Sequence, residues 1–262
     1  MLAPHAPVDW QKLLAFLGDR KPELPEKIRG VSQDELEALR RRSPVPLPEN
    51  YVGFLRHFGG ADGGFRVFPR HHYLAAELLR EGPQEPAGWD PDRHLLIGLM
   101  ESKECEDPHD LFLELSRGDA TDAPLVGMDL DPEEPSTQSF PLAHSLADRL
   151  ILLAWRPVNR PKPAKARLVA FCNPAPGNTE VLQRYRALVA VAERLGFTPC
   201  VSATANTWMG RQGRETFALV YNALSDTVVS MELRGDDAAP IAQVREVVED
   251  LGLAEPTRVL PD

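Results

Sequence analysis

The chain has 262 residues, of which 43% are hydrophobic and 26% are charged, and its formal net charge at pH 7 is −10. This is the composition of a globular protein with enough apolar material for a core, so neither a disulfide framework nor a structural metal is required. The three cysteines are far apart and odd in number, which favours reduced thiols over disulfides or a zinc site. We find no signal-peptide pattern and no run of about 18 apolar residues, so we expect a cytoplasmic protein outside the membrane.

A proline-rich stretch divides the sequence into two predicted domains. Residues 157–166 read PVNRPKPAKA, and three prolines in ten residues interrupt both helices and central strands. We therefore predict a first domain at 1–156, a linker at 157–166 and a second domain at 167–262. The first 156 residues hold 17 basic and 27 acidic residues, whereas the remainder holds 12 of each. An acidic first domain repels nucleic acid and attracts basic partners, although the charge could also serve solubility alone.

The first domain opens with three predicted helices. The first is a short amphipathic segment at residues 9–17. The second starts at Ser32, because Glu35 three residues later completes a capping box, and it ends in the basic triplet 40–42, where cations complement the helix dipole. The third runs from Glu49 to Phe58 and stops at a run with four glycines in six residues, which permits a tight reversal.

The pattern then changes from helices to strands. We predict one more short helix at residues 70–81 and a loop at 82–93. Short apolar runs separated by glycine, proline and acidic turns follow, and they predict strands at 95–99, 111–115, 125–130 and around Phe140. Ser145 and Asp148 fit the start of a closing helix that ends at Trp155.

One segment of the first domain carries a family resemblance. Residues 47–55 read Leu-Pro-Glu-Asn-Tyr-Val-Gly-Phe-Leu and lead into Phe58-Gly59-Gly60. This order resembles the Leu-Pro-x-x-Tyr-x-x-Phe-Leu segment and glycine-rich turn of the SMI1/KNR4 (SUKH) superfamily, although the family commonly has Asn where Phe58 stands. The strands that follow resemble the family's β-meander. The resemblance covers residues from about 28 to 155.

The resemblance implies a fold and a function class. The expected fold is α+β, with SMI1/KNR4-like helices and an antiparallel β-meander in the first domain. The second domain resembles no family that we recognise, and its own pattern predicts a second small α/β sandwich. The family implies a non-enzymatic binding module, and its bacterial members often neutralise secreted toxins, including nucleases. We therefore expect an immunity protein for a cognate toxin. A regulatory or scaffold protein without a toxin partner is the alternative, and an enzyme with an unrecognised site is a further one, since fold alone does not decide function.

An acidic stretch of the first domain is the candidate partner-binding surface. Residues 101–134 contain twelve acidic residues against two basic ones, Lys103 and Arg117. Because strand residues alternate between faces, we expect many of these carboxylates to point outward together. Such a surface would attract a basic toxin domain, for example a nuclease built to hold phosphates; a merely solvated face is the alternative. The predicted partner-binding residues are Glu101, Glu104, Asp107, Asp110, Asp129, Asp131, Glu133 and Glu134.

No pattern for metal, cofactor or nucleophilic chemistry stands out. His71 and His72 are adjacent, and on a helix adjacent side chains point about 100° apart, which does not suit chelation of one metal. The acidic run from Asp129 fails the calcium-loop pattern, since Glu134 and Phe140 occupy the positions of the required glycine and glutamate. No Gly-x-Ser-x-Gly motif occurs. We predict no catalytic residue, no metal ligand and no cofactor.

The second domain reads as β-α-β-β-β-α. The predicted strands are at 167–172, 199–204, 216–221 and 227–233, and the predicted helices at 179–195 and 239–251. Both helices carry continuous apolar stripes, so they should cover one face of a small sheet, and the domain should fold alone.

A loop at residues 206–214 of the second domain is a candidate interface. It contains Trp208, Arg211 and Arg214, and tryptophan and arginine are the residue types that anchor protein interfaces. The alternative is a plain connection with Trp208 folded against its own sheet.

Overall fold

The computed structural model divides the chain into two compact units. The first comprises Met1–Trp10 and Lys21–Leu150, and the second comprises Gln11–Arg20 and Ile151–Asp262. The structure describes residues 5–43, 45–81, 89–101, 109–129, 139–156, 164–172, 179–222, 224 and 227–256. The predicted α+β class with antiparallel strands is confirmed.

Eight helices and thirteen strands occur in the described residues. The helices are α1 (Trp10–Arg20), α2 (Leu24–Lys27), α3 (Gln33–Arg42), α4 (Glu49–Phe58), α5 (Ala75–Glu81), α6 (Leu146–Trp155), α7 (Glu180–Arg194) and α8 (Ala238–Asp250). The strands are β1 (Ile28–Arg29), β2 (Ala61–Asp62), β3 (His71–His72), β4 (His94–Met100), β5 (His109–Glu114), β6 (Leu125–Asp129), β7 (Phe140–Ala143), β8 (Ala164–Phe171), β9 (Thr198–Pro199), β10 (Thr207–Gln212), β11 (Thr216–Asn222), β12 (Val228–Gly235) and β13 (Glu255–Pro256).

The start and end of helix α3 follow the predicted local chemistry. The Ser32 hydroxyl accepts a hydrogen bond from the Glu35 amide at 3.2 Å, and the Glu35 carboxylate accepts one from the Ser32 amide at 2.8 Å. The predicted capping box is therefore confirmed. At the other end, Arg42 donates to the carbonyl oxygen of Leu78 at 2.8 Å and to that of Leu79. The last arginine of the basic triplet thus ties α3 to α5.

Helix α4 has the predicted bounds and forms the centre of the first unit. The reversal after it uses Gly63 and Gly64, whose φ angles are 63° and 75°. Positive φ costs little only without a Cβ, so the glycines permit the turn. Val52 is half-buried. The buried residues of α4 are Asn50, Tyr51, Phe54, Leu55 and Phe58.

The first unit contains a five-stranded sheet in the order β3-β4-β5-β6-β7. Strands β4 to β7 pair antiparallel with their chain neighbours, so the predicted meander is confirmed. The helix predicted at residues 70–81 is wrong in its first part, where β3 lies, and α5 begins only at Ala75. The φ of 70° at Arg70 lies outside the helical region, and His71 and His72 pair with β4, so no helix spans this stretch.

The second unit contains a six-stranded antiparallel sheet in the order β13-β8-β12-β11-β10-β9. Helices α7 and α8 bury their apolar stripes in a common core with the sheet. Three predictions here are wrong. Residues 164–166, assigned to the linker, belong to β8, while 157–163 lie outside the described residues. Residues 207–212, predicted as loop, form β10, and the strand predicted at 199–204 is limited to Thr198–Pro199.

Helix α1 belongs largely to the second unit, although the sequence analysis placed it in the first domain. Its Phe16 ring packs edge-on against Phe217 of β11, with 6.2 Å between centroids. The Arg20 guanidinium lies 4.9 Å from the centroid of the same Phe217 ring and binds the Glu215 carboxylate at 3.0 and 3.1 Å. The amphipathic stripe of α1 was read correctly, but its partner lies about two hundred residues away in the sequence.

Candidate protein-binding surface

The meander brings the starting points of both acidic segments to one end of one sheet. Strand β4 ends at Met100 and β5 begins at His109, so residues 101–108 connect them there. At the same end of the sheet, β6 ends at Asp129 and β7 begins at Phe140. The register places His109 opposite Asp129, and Gly127 opposite Phe140. Two stretches separated by about twenty residues in sequence therefore leave the sheet side by side.

This end of the sheet, here called the acidic end, has a strongly one-sided charge in sequence. Residues 101–108 and 129–134 together carry eight acidic residues and a single basic one, Lys103. Acidic side chains that lie near one another reinforce each other's field and accelerate encounter with a basic protein at low salt. The acidic end is thus the strongest candidate for partner binding in the first unit.

Of the eight predicted partner-binding residues, three lie in the part of the chain that the structure describes. Glu101 is exposed at the end of β4, and Asp129 is the last residue of β6. Asp110 is only 1% exposed, so its assignment to an outward surface is wrong. The remaining five lie outside the described residues: Glu104, Asp107, Asp131, Glu133 and Glu134.

A bulge explains why Asp110 is buried. The pairing of β4 with β5 shifts register between Leu96 and Gly98 and ends at Gly98 opposite Leu111. Beyond this point the Asp110 carboxylate accepts a hydrogen bond from the Met100 amide at 2.8 Å. The Asp110 carboxylate therefore takes the place of a backbone carbonyl as the acceptor for the Met100 amide, at the end of β4. Two further acidic residues of the 101–134 stretch, Glu114 and Asp122, are also buried.

Aromatic and imidazole rings pack beneath the acidic end. The His109 ring lies 5.2 Å from the His71 ring and 5.0 Å from the Phe140 ring between centroids. Gly127 makes room for this stack, since a Cβ there would come within 2.4 Å of Phe140. His71 is buried, and each of its ring nitrogens lies 3.0 Å from a backbone carbonyl oxygen, those of Pro69 and His109.

Trp208 is not part of an interface in the second domain. Trp208 is 2% exposed and belongs to the core between the sheet and helices α7 and α8, so the interface interpretation of this residue is wrong. Strand alternation places it on the covered face, and Gly210 on that face leaves space for the indole, because a Cβ there would lie 2.1 Å from the ring. Arg211 lies 3.6 Å from the Asp19 carboxylate, and Arg214 is exposed in the following turn.

A buried polar junction in the first unit was not predicted from the sequence. The Asp122 carboxylate is inaccessible to solvent and accepts hydrogen bonds from the Asn50 amide group and from the backbone amides of Ala123, Leu146 and Ala147. Burial raises the pKa of Asp122, and the four donors oppose that effect. The junction joins α4 to the start of α6. The available signal in the sequence was Asn50, the asparagine within the Leu-Pro-x-x-Tyr segment.

Two kinds of feature were searched for in the described residues, clusters of metal-ligating side chains and helices that could cross a membrane. Within the described ranges, no three His, Cys, Asp or Glu side chains come together in a way that could hold a metal ion. Likewise, none of the helices in the described part of the chain is long and apolar enough to cross a membrane. Cys172 and Cys200 are free thiols, and burial raises the pKa of Cys200 to about 11.

Comparisons of the chain with family models, with curated proteins and with solved structures gave no match.

Proposed function

We propose that this protein is a non-enzymatic binding module of the cytoplasm that neutralises a basic toxin domain through the acidic end of its first unit. The observation that carries the proposal is the position of the strand ends that flank the two acidic segments: β4 ends at Met100, β5 begins at His109 and β6 ends at Asp129, all at one end of a single sheet. The SMI1/KNR4-like order of elements supports a binding role, because that resemblance implies immunity and scaffold proteins.

The chemistry of the partner follows from the charge of the surface. Eight carboxylates against one lysine in these two segments favour a partner with exposed lysine and arginine, such as a nuclease that binds phosphates. The same charge disfavours nucleic acid itself, which carries one negative charge per phosphate. The packed rings of His71, His109 and Phe140 support the strand ends that flank the two segments.

Association kinetics with a basic protein encoded beside this gene test the proposal. In the test variant Asp129, Asp131, Glu133 and Glu134 are all changed to lysine. Electrostatic steering can raise association rates by about a hundredfold or more at low salt, so we expect the variant to associate at least about tenfold more slowly. The difference should shrink as salt is raised.

A matched control separates local charge from net charge. It reverses four exposed acidic residues elsewhere, Asp34, Glu193, Glu246 and Asp250, and so changes the net charge by the same amount. The proposal predicts near wild-type association for this control. Equal slowing in both variants, or none in either, would show that the acidic end is not the interface. A neighbouring gene set without any basic toxin would favour the regulatory alternative.

A further inference from the structure

The geometry around His71 is unusual for a neutral imidazole. Nδ1 lies 3.0 Å from the carbonyl oxygen of Pro69, and Nε2 lies 3.0 Å from the carbonyl oxygen of His109. Carbonyl oxygens only accept hydrogen bonds, and a neutral imidazole has one N–H to donate. In the neutral form, one of the two carbonyls therefore faces a nitrogen lone pair. The imidazolium form has two N–H groups and satisfies both.

The two carbonyls belong to separate segments of the first unit. Pro69 precedes β3, the edge strand, while His109 is the first residue of β5 and ends the 101–108 connection. The pairing of β4 with β5 ends at Gly98 opposite Leu111, two residues from His109. His71 therefore reaches from the edge strand to the root of an acidic segment.

We propose that His71 is a proton-sensitive clasp on the root of the 101–108 connection. With the ring neutral, His71 holds one of the two carbonyls. With the ring protonated, it holds both and fastens the start of β5 to the stretch before β3. The proton comes from solvent and binds the unprotonated ring nitrogen, and no bond other than N–H forms or breaks.

The groups around His71 set the direction of its titration. Burial lowers the pKa of His71 below the ordinary histidine value; the two carbonyl contacts and Glu101 act to raise it, and His109 acts to lower it. Asp110 of β5 directs its carboxylate to the Met100 amide. On its own strand, His71 is flanked by Arg70 and by His72, whose Nδ1 lies 3.4 Å from the Glu77 carboxylate.

The sign of the linkage follows from this direction. The pKa of His71 is lower in the folded chain than in the unfolded chain. His71 therefore adds to the free energy of unfolding above the ordinary histidine pKa, and this contribution is lost as pH falls through the lowered pKa. The clasp therefore fastens at mildly acidic pH while the overall stability declines. The consequence for partner binding rests on the proposed function: the clasp adds a positive charge beneath the acidic end and should weaken its attraction for a basic partner.

Nuclear magnetic resonance on the full ¹⁵N-labelled chain tests the clasp without any partner, so its outcome is independent of the proposed function. The ring nitrogens of His71 are followed from about pH 7.5 to about pH 5. We expect both to reach the protonated range. We also expect the backbone amide signals of Asp110 and Arg70 to shift with the same midpoint, since their peptide groups contain the two carbonyls.

His71→Gln is the test variant and His72→Gln the matched control on the neighbouring residue. The first should abolish the coupled shifts of the Asp110 and Arg70 amides, and the second should retain them. If the glutamine at position 71 prevents folding, as judged by circular dichroism, the wild-type titration decides alone. A His71 ring that stays neutral to about pH 5, or one that titrates while both amide signals stay fixed, would overturn the proposal.

Discussion

Replacing Asp122 by alanine should destabilise the first unit more than any surface change nearby. The Asp122 carboxylate is fully buried and accepts four hydrogen bonds, from the side chain of Asn50 at 2.8 Å and from the amides of Ala123, Leu146 and Ala147 at 2.8, 3.1 and 2.9 Å. Each buried donor left without an acceptor costs about 1–3 kcal/mol. The four donors at the lower limit give a loss of about 4 kcal/mol.

The measurement for Asp122→Ala is urea unfolding of the full chain combined with hydrogen exchange. Because the chain has two compact units, the exchange of peptides around α4 and the start of α6 reports the loss where it occurs. Asp34→Ala, at an exposed site in the first turn of α3, is the control and should change stability by less than about 0.5 kcal/mol. A loss below about 1 kcal/mol for Asp122→Ala would refute the reasoning, since it would mean that the donors find other acceptors.

Three further predictions concern local features of the fold. Ser32→Ala should lower the free energy of unfolding in urea by about 1 kcal/mol. Because hydrogen bonds from Ser32 lower the pKa of Glu35, the cap stabilises the fold above the ordinary glutamate pKa, and this stabilisation is lost as pH falls through the lowered value. Glu35→Gln should therefore reduce the acid sensitivity of α3 seen by hydrogen exchange. Gly210→Ala should destabilise the second unit by about 1–3 kcal/mol and change the fluorescence of Trp208, whose ring lies over Gly210. An unchanged midpoint of urea unfolding would contradict this packing. Phe16→Ala should destabilise the second unit by about 3–5 kcal/mol in the full chain, and unfolding confined to the first unit would show that α1 is wrongly assigned.

Elements set by local chemistry could be predicted from the sequence. The capping box at Ser32 and Glu35 fixes the start of α3, and α4 was bounded by a proline before it and glycines after it. Gly196, with a φ of 91°, ends α7 where the sequence indicated. In each case the signal and the structure it produces lie within a few residues of each other, so no tertiary information was needed.

Features that depend on distant partners could not be predicted. The apolar stripe of α1 identifies a helix, but nothing in it indicates that Phe16 meets Phe217. Asp110 reads as one more surface carboxylate until the bulge in β4 supplies the Met100 amide. Trp208 reads as an interface residue until strand β10 places it over Gly210. A glycine two residues from a tryptophan was the available signal, since on a strand the two lie on one face.

The acidic end was predictable in charge but not in arrangement. The sequence shows that residues 101–108 and 129–134 are acidic, yet only strand pairing shows that both start from the same end of one sheet. The rings beneath it were equally hidden, because His71, His109 and Phe140 come from three different strands. Their contacts follow from register, which a single sequence specifies weakly at strand ends.

The most direct test of the account is a map of chemical-shift changes in the full ¹⁵N-labelled chain while an unlabelled basic partner from the adjacent gene is added. If the acidic end is the binding surface, the largest changes fall on residues at that end of the sheet, such as Glu101, His109, Gly127 and Phe140, and fade with rising salt. Changes confined to α7 and α8 of the second unit, or a strong interaction that leaves the acidic end unchanged, would contradict the central claim.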